Sequence, residues 1–291
     1  MRFLVQKDYE RIITVDDLNQ VFDNGSDVSY TVQQRILDTE PAAQEEISGY
    51  LKQRYDVASV FTDTSVFNIA ATYYGNDRVQ YTEVAFSASV VYTTGQRVSY
   101  GGNIYRSTAG SAAHAFVPSE WTFICLEGQL FYALLPQPAY DFNSLYNLGD
   151  QVFWKNNIYT SRVGNNNAAP TNAQAWTLVS AYSFTGVLPT DTTKWIMGDN
   201  RNGLLVQKMV DIVLYHAHAT INKRNIPELR ITRYMGDKEN SAIAWLNKIA
   251  SGALSANLPE LPPDTSELAL RWGNRLGDNE TNDTQTPKMS Y

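Results

Sequence analysis

The chain has 291 residues, 43% of them hydrophobic, and a net charge of −7. That length suits two or three cores of roughly 100–150 residues each better than one, and the acidic balance argues against general affinity for nucleic acid, which needs clustered Lys and Arg. A single cysteine, Cys125, excludes an intrachain disulfide framework, and three histidines, His114, His216 and His218, leave too few ligands for a Cys/His metal site.

No apolar run reaches the roughly 18 residues of a membrane span, and the amino terminus lacks the basic-then-apolar order of a signal peptide. The expectation is a soluble chain, without contact to membrane, in a reducing compartment outside the secretory pathway. From the amino terminus, Thr14 is placed to cap a short helix, VDDLNQVF, with acids in its first turn. A second helix is predicted over 30–38. Thr39-Glu-Pro41 then reads as a new helix start, with Pro41 in the first turn where its missing N–H costs nothing. The segment that follows sets Ile47, Tyr50, Leu51 and Tyr55 on one buried face.

Composition changes at about Thr62 and changes back at about Gly198. Residues 62–198 hold 14 charged side chains in 137, against 39 in the 154 flanking residues. The middle is rich in Tyr, Trp, Thr, Asn, Gly and Val, the mixture of short strands and turns, whereas the flanks carry helix formers. The predicted organisation is an α+β multidomain protein: a discontinuous helical domain from 1–61 and 199–261, a β insertion at 62–198, and an extended carboxyl-terminal tail at 262–291.

The insertion repeats itself. YTTGQRVSYGGNIYRS, starting at Tyr92, aligns without gaps to YNLGDQVFWKNNIYTS, starting at Tyr146. Each copy closes with a proline and a tryptophan, Pro118 with Trp121 and Pro170 with Trp176, and a partial third echo of that closing piece has Pro189 and Trp195. Gly95 and Gly149 serve a turn, Val98 and Val152 begin alternating strands, and the Gly-Gly-Asn or Lys-Asn-Asn loops make a β-hairpin. On these residues, spans 89–124 and 144–179 resemble the chitin-binding type of small carbohydrate-binding module. That resemblance implies glycan contact by exposed aromatics soon after the second hairpin strand, but 106–110 and 160–164 carry none. Tyr105, Tyr159, Trp121 and Trp176 are expected in small cores, which leaves Tyr100 and Trp154 as the glycan-contact candidates.

Beyond the insertion, Asp199 or Asn200 can cap a helix running to about Ile221. Leu205, Met209, Ile212, His216 and Ala219 form its apolar stripe, and Val206, Val210, Val213, Leu214 and Ala217 widen it, which predicts a central position. Pro227 is expected to break the chain, LRITRY to be extended, and a final helix over about 238–250 to bury Ile243, Leu246 and Ile249. In the polar tail, Leu268-Ala-Leu-Arg-Trp272 is an apolar patch suited to an arm that docks on a neighbour or lies as a flap over its own domain.

With 62–198 removed, the flanks join into a sequence similar to the Mu-type family of phage head–tail connector proteins. The matching residues are Tyr50-Leu51 and Arg54-Tyr55-Asp56, Val210-Asp211-Ile212 with Leu214-Tyr215-His216, Ile226-Pro227-Glu228-Leu229-Arg230 with Arg233-Tyr234, and Ala244-Trp245-Leu246 before Gly252 and a Leu-Pro repeat. The long insertion departs from the family, whose members cross this point by a short loop. The resemblance implies a ring, of twelve subunits where it matches a portal, that lies at the head–tail interface of a virion after assembly in the host cytoplasm. Its partners would be itself, the portal protein, further neck or tail proteins, and DNA passing through the channel without sequence recognition.

The residues themselves supply no enzyme. His216 and His218, two apart on a helix, face different ways and read as structural; Cys125 lies in an apolar stretch and reads as a buried thiol; Glu120, Asp150 and Asp191 are scattered. No catalytic, metal or cofactor site is predicted. The segment 201–238 is locally basic, and Lys223, Arg224, Arg230, Arg233 and Lys238, with Glu228 and Tyr234, are the candidates for subunit or portal contact, together with Trp272; Arg binds carboxylates in bidentate fashion. The competing reading is a virion-attached glycan binder acting through the repeated modules.

Overall fold

A computed structural model describes residues 2–22, 31–110, 112–221, 226–236 and 240–261, and the fold is mixed α+β. The first flank forms α1 (Gln6–Glu10), α2 (Val15–Phe22), α3 (Val32–Leu51) and α4 (Val57–Val60); the second forms α5 (Gly203–Ile221), α6 (Glu228–Met235) and α7 (Ala242–Ala250). Thr14 holds the start of α2 as expected, its hydroxyl accepting from Asp17 N at 3.2 Å.

Four local expectations change. The helices predicted at 30–38 and from Thr39 are one helix, α3, started by a Thr31–Gln34 capping box. Ile36, Ala43, Ile47 and Leu51 make a single buried line along it, and that continuous burial outweighs the hydrogen bond Pro41 cannot donate. Thr39, no longer a cap, donates its hydroxyl back to Arg35 O at 2.8 Å. α5 is capped by Asn202, whose Oδ1 accepts from Leu204 N and Leu205 N at 3.1 and 3.0 Å, because the Asp199 carboxylate is occupied by Arg201. LRITRY is helical, not extended: Pro227 opens α6 by accepting from Arg230 N at 2.8 Å, and packing of Arg230 and Tyr234 inward overrides the β preference of Ile231 and Thr232. The last helix starts at Ala242, where Ser241 accepts from Ala244 N at 3.3 Å.

Both flanks share one core. α5 is its axis, with Leu205, Met209, Val210, Ile212, Val213 and Leu214 buried against Leu18 and Phe22 of α2, Ile47 and Leu51 of α3, and Leu246 and Ile249 of α7. Burying each such side chain stabilises by roughly 1.5–3 kcal/mol, so the helical frame closes on itself across the insertion.

The insertion contains three copies of one module, and two of them are nested inside the third. Its strands are β1 (Thr64–Val66), β2 (Thr72–Tyr73), β3 (Arg78–Tyr81), β4 (Arg97–Tyr100), β5 (Asn103–Ser107), β6 (Trp121–Leu126), β7 (Gln129–Ala133), β8 (Gln151–Trp154), β9 (Asn157–Ser161), β10 (Trp176–Ala181), β11 (Phe184–Thr185) and β12 (Trp195–Met197). The two predicted copies are the antiparallel sheets β4-β5-β6 and β8-β9-β10. The third is β3-β7-β12, with one copy inserted between β3 and β7 and the other between β7 and β12.

Equivalent bonds establish the third copy. Gly95 N donates to Ser107 O and Gly149 N to Ser161 O, both at 2.9 Å, and Asn76 N donates to Ala133 O at 3.0 Å. These turn residues all have left-handed backbones, with φ of 89°, 90° and 68°; asparagine tolerates that region, so it can stand where the other copies have glycine. Each copy also repeats an aromatic triad. Phe67 stacks on Tyr73, Phe86 on Tyr92 and Tyr140 on Tyr146 at 5.3–5.6 Å, and Trp195, Trp121 and Trp176 close edge-on over them. The echo ending at Trp195 is therefore the last strand of a complete module that begins before Tyr73.

The insertion is fastened at its root. Thr64 N donates to Arg2 O at 2.7 Å, and Arg78 donates to Thr62 O at 2.8 Å with its guanidinium over the Phe3 ring. Arg201, fully buried, makes paired bonds to Asp8 at 2.7 and 3.0 Å, bonds Asp199 at 2.7 and 2.9 Å, and reaches Phe3 O at 2.7 Å. Burial alone would lower the Arg201 pKa, but its bonds to Asp199 and Asp8 raise it.

Candidate interaction surface

The basic segment is carried by α5 and α6. Lys223, Arg224, Lys238 and Trp272 lie outside the described residues. Glu228 is exposed in the first turn of α6. Tyr234 is held within the chain: it donates to Glu46 Oε1 at 2.8 Å, and its ring stacks on Tyr215 at 4.0 Å. His216 meets the other oxygen of Glu46 at 2.7 Å, so it is a structural histidine tying α5 to α3, while His218 is separately pushed down by burial and by Arg230.

Arg233 stands 3.5 Å from Oδ1 of the buried Asp211. Lys208, also buried, donates to Asn240 O. Arg230 is different. It is 8% exposed, yet its guanidinium makes no hydrogen bond or ion pair among the described residues, and its buried Nη1 has no partner. Burial and then the Arg233 charge lower its pKa; Asp211 and Asp17 oppose that without bonding to it. On the outward side of α6, about 100–140° around the helix from the inward-packed Arg230, Leu229, Ile231 and Met235 are exposed, at 57%, 40% and 48%. This exposed apolar side of α6 has the composition of a contact surface. The sequence could not supply that apolar side while the segment read as extended.

The second candidate surface lies on the β4-β5-β6 module. Tyr100 is 48% exposed, but one face of its ring is taken by Phe116, stacked at 4.1 Å. Phe123, which sequence reasoning passed over, is exposed beside Tyr105 at 6.0 Å. In the other copy the Trp154 ring is half-buried under the Lys155 ammonium at 4.6 Å. Trp121 and Trp176 are buried in the small cores, and Tyr105 and Tyr159 pack against them.

The remaining candidates have local work. Asp150 accepts from Asn147 N at 2.7 Å, Asp191 caps its own turn at Thr193, and Glu120 faces His114 at 3.2 Å. Cys125 is buried, which pushes its thiol up to about 11. Among the described residues no group of His, Cys, Asp or Glu could hold a metal ion, and no helix is long and apolar enough to cross a membrane.

No protein-family model matches this chain, and no curated protein matches it.

Proposed function

We propose that this chain is a structural subunit of a phage head–tail connector, forming a ring that joins the portal to the tail in the virion neck and continues the DNA channel. The observation that supports it is the meeting of the two halves of the connector-like pattern. Arg54 bonds Glu260 at 2.9 and 3.1 Å, Asp56 N donates to Pro259 O at 2.9 Å, Leu261 N donates to Arg54 O at 2.8 Å, and Tyr55 OH accepts from Ala256 N at 3.1 Å. The Arg-Tyr-Asp motif thus clamps the Leu-Pro repeat some two hundred residues away, while the insertion leaves that core uninterrupted. A helical core that closes across a long insertion is what an assembly unit carrying an appendage requires. Mixing the purified chain with portal rings and imaging the product by electron microscopy tests it. Added rings on the portal are expected; portals that stay bare under all conditions would count against the reading.

A second reading, glycan attachment through the modules, is favoured by the exposed Tyr100 and Phe123. It predicts glycan-array signal for the whole chain that Tyr100→Ala and Trp154→Ala reduce. An array blank for the wild-type chain removes it.

A further inference from the structure

We propose that the outward side of α6 is the docking site for the carboxyl-terminal tail of the same chain, with Leu268 and Trp272 seated on Leu229, Ile231 and Met235. The proposal concerns a single chain and is independent of the neck reading. α6 packs inward on α5 and α7, and its Tyr234 bonds Glu46 of α3. Leu229, Ile231 and Met235 stand on the other side of the helix, exposed. Covering apolar surface stabilises by roughly 25 cal/mol per Å², so this side favours a cover that brings apolar groups of its own.

The chain supplies such a cover. Residues 262–291 follow Leu261, and their large apolar side chains gather most densely at Leu268, Leu270 and Trp272. Leu268 and Trp272 have the spacing that puts two side chains on one side of a helical turn. Arg271, between them, is opposite in charge to Glu228, which is exposed at the start of the same side of α6. The root of the tail is also fixed near this side. Leu261 N donates to Arg54 O at 2.8 Å, and Tyr234 reaches Glu46, eight residues before Arg54. Along α3 and its closing turn that separation is roughly 12 Å at 1.5 Å per residue. The segment 262–267 lets Leu268 stand up to roughly 23 Å from Leu261, about twice the diameter of a helix, which carries the tail past the flank of α6 to its outer side. A tether this short holds the docking residues at an effective concentration of about millimolar, so the chain's own tail reaches the site ahead of a second copy's.

Glu228→Cys with Arg271→Cys, made in the full chain, tests the assignment without touching the apolar anchors; Cys125 is buried, which leaves the new pair as the reactive thiols. Under mild oxidation an intramolecular disulfide is expected, in a yield that does not change with protein concentration. Cross-linking between chains that grows with concentration overturns the assignment in favour of a second copy, and thiols that stay free throughout overturn docking altogether. Limited proteolysis supplies an independent readout. In Leu229→Gln with Ile231→Gln, chymotrypsin cleavage at Trp272 should speed up roughly tenfold or more over wild type, because cleavage tracks the population with the tail released, while hydrogen exchange of α5 stays as in wild type. Equal cleavage rates in the two chains, with α5 protected in both, overturn the proposal.

Discussion

The frame and the insertion solve the burial problem in opposite ways. The frame gathers segments from both ends of the chain around α5 and buries charges with them, including Asp8, Glu40, Arg201, Lys208, Asp211 and Arg230. The insertion uses three small aromatic cores, each built on a stack and a tryptophan edge, with few charges anywhere. Stability in the frame therefore depends on long-range pairing and on pH, and stability in the insertion on local rings. Nesting predicts an order of dependence, in which closure of the outer module holds its two guests.

The sharpest way to break that comparison is within the insertion. Trp195→Ala removes a buried ring that meets Phe67, Tyr73 and Phe184, at a cost of roughly 3–5 kcal/mol. Hydrogen exchange should then rise throughout 64–197, while the equivalent Trp176→Ala raises it in 136–181 alone and leaves α5 protected in both cases. Equal, local effects of the two changes would contradict the nesting dependence. Arg201→Met acts at the root, leaving the buried Asp8 carboxylate without its cation and costing roughly 3 kcal/mol. Its expected signature in chemical denaturation is loss of frame stability together with a separate, earlier transition for the insertion.

A smaller effect separates the two regions by pH. Burial raises the Glu40 carboxyl to about 7; the Tyr9 hydroxyl at 2.8 Å and Arg2 oppose that shift, and Asp8 adds to it. A carboxyl whose folded pKa is raised binds a proton on folding. Its stabilising contribution is full below about 4.5 and is lost as pH rises toward about 7. Glu40→Gln should therefore stabilise the frame by about 1–2 kcal/mol at pH 8 and much less at pH 5, read from denaturation midpoints at the two values. The insertion's own transition should not move. Equal effects at both pH values would show that Glu40 is not buried as a proton-binding group.

Much of this was legible in the sequence because it is local. The boundaries near Thr62 and Gly198 follow from composition, and the two inner copies from residues that stay adjacent in the chain. The outer copy was not legible beyond Trp195, since residues 82–128 separate its first hairpin strand from its second and Asn76 replaces the turn glycine. Pro41 and Ile231 misled for one reason: tertiary burial along α3 and α6 outweighed local preference. The Arg230 environment could not be read at all, because a missing counter-ion is visible only once every neighbour has a position.

The helical frame is proposed to build a phage neck, with the insertion hanging from it. Cryo-electron microscopy of phage particles assembled in the presence of this chain tests it most directly. The proposed neck role predicts a ring of this chain between portal and tail, with the three-module insertion projecting away from the ring contacts. Density for the chain on a tail fibre or the capsid surface, or none in the virion, would contradict it.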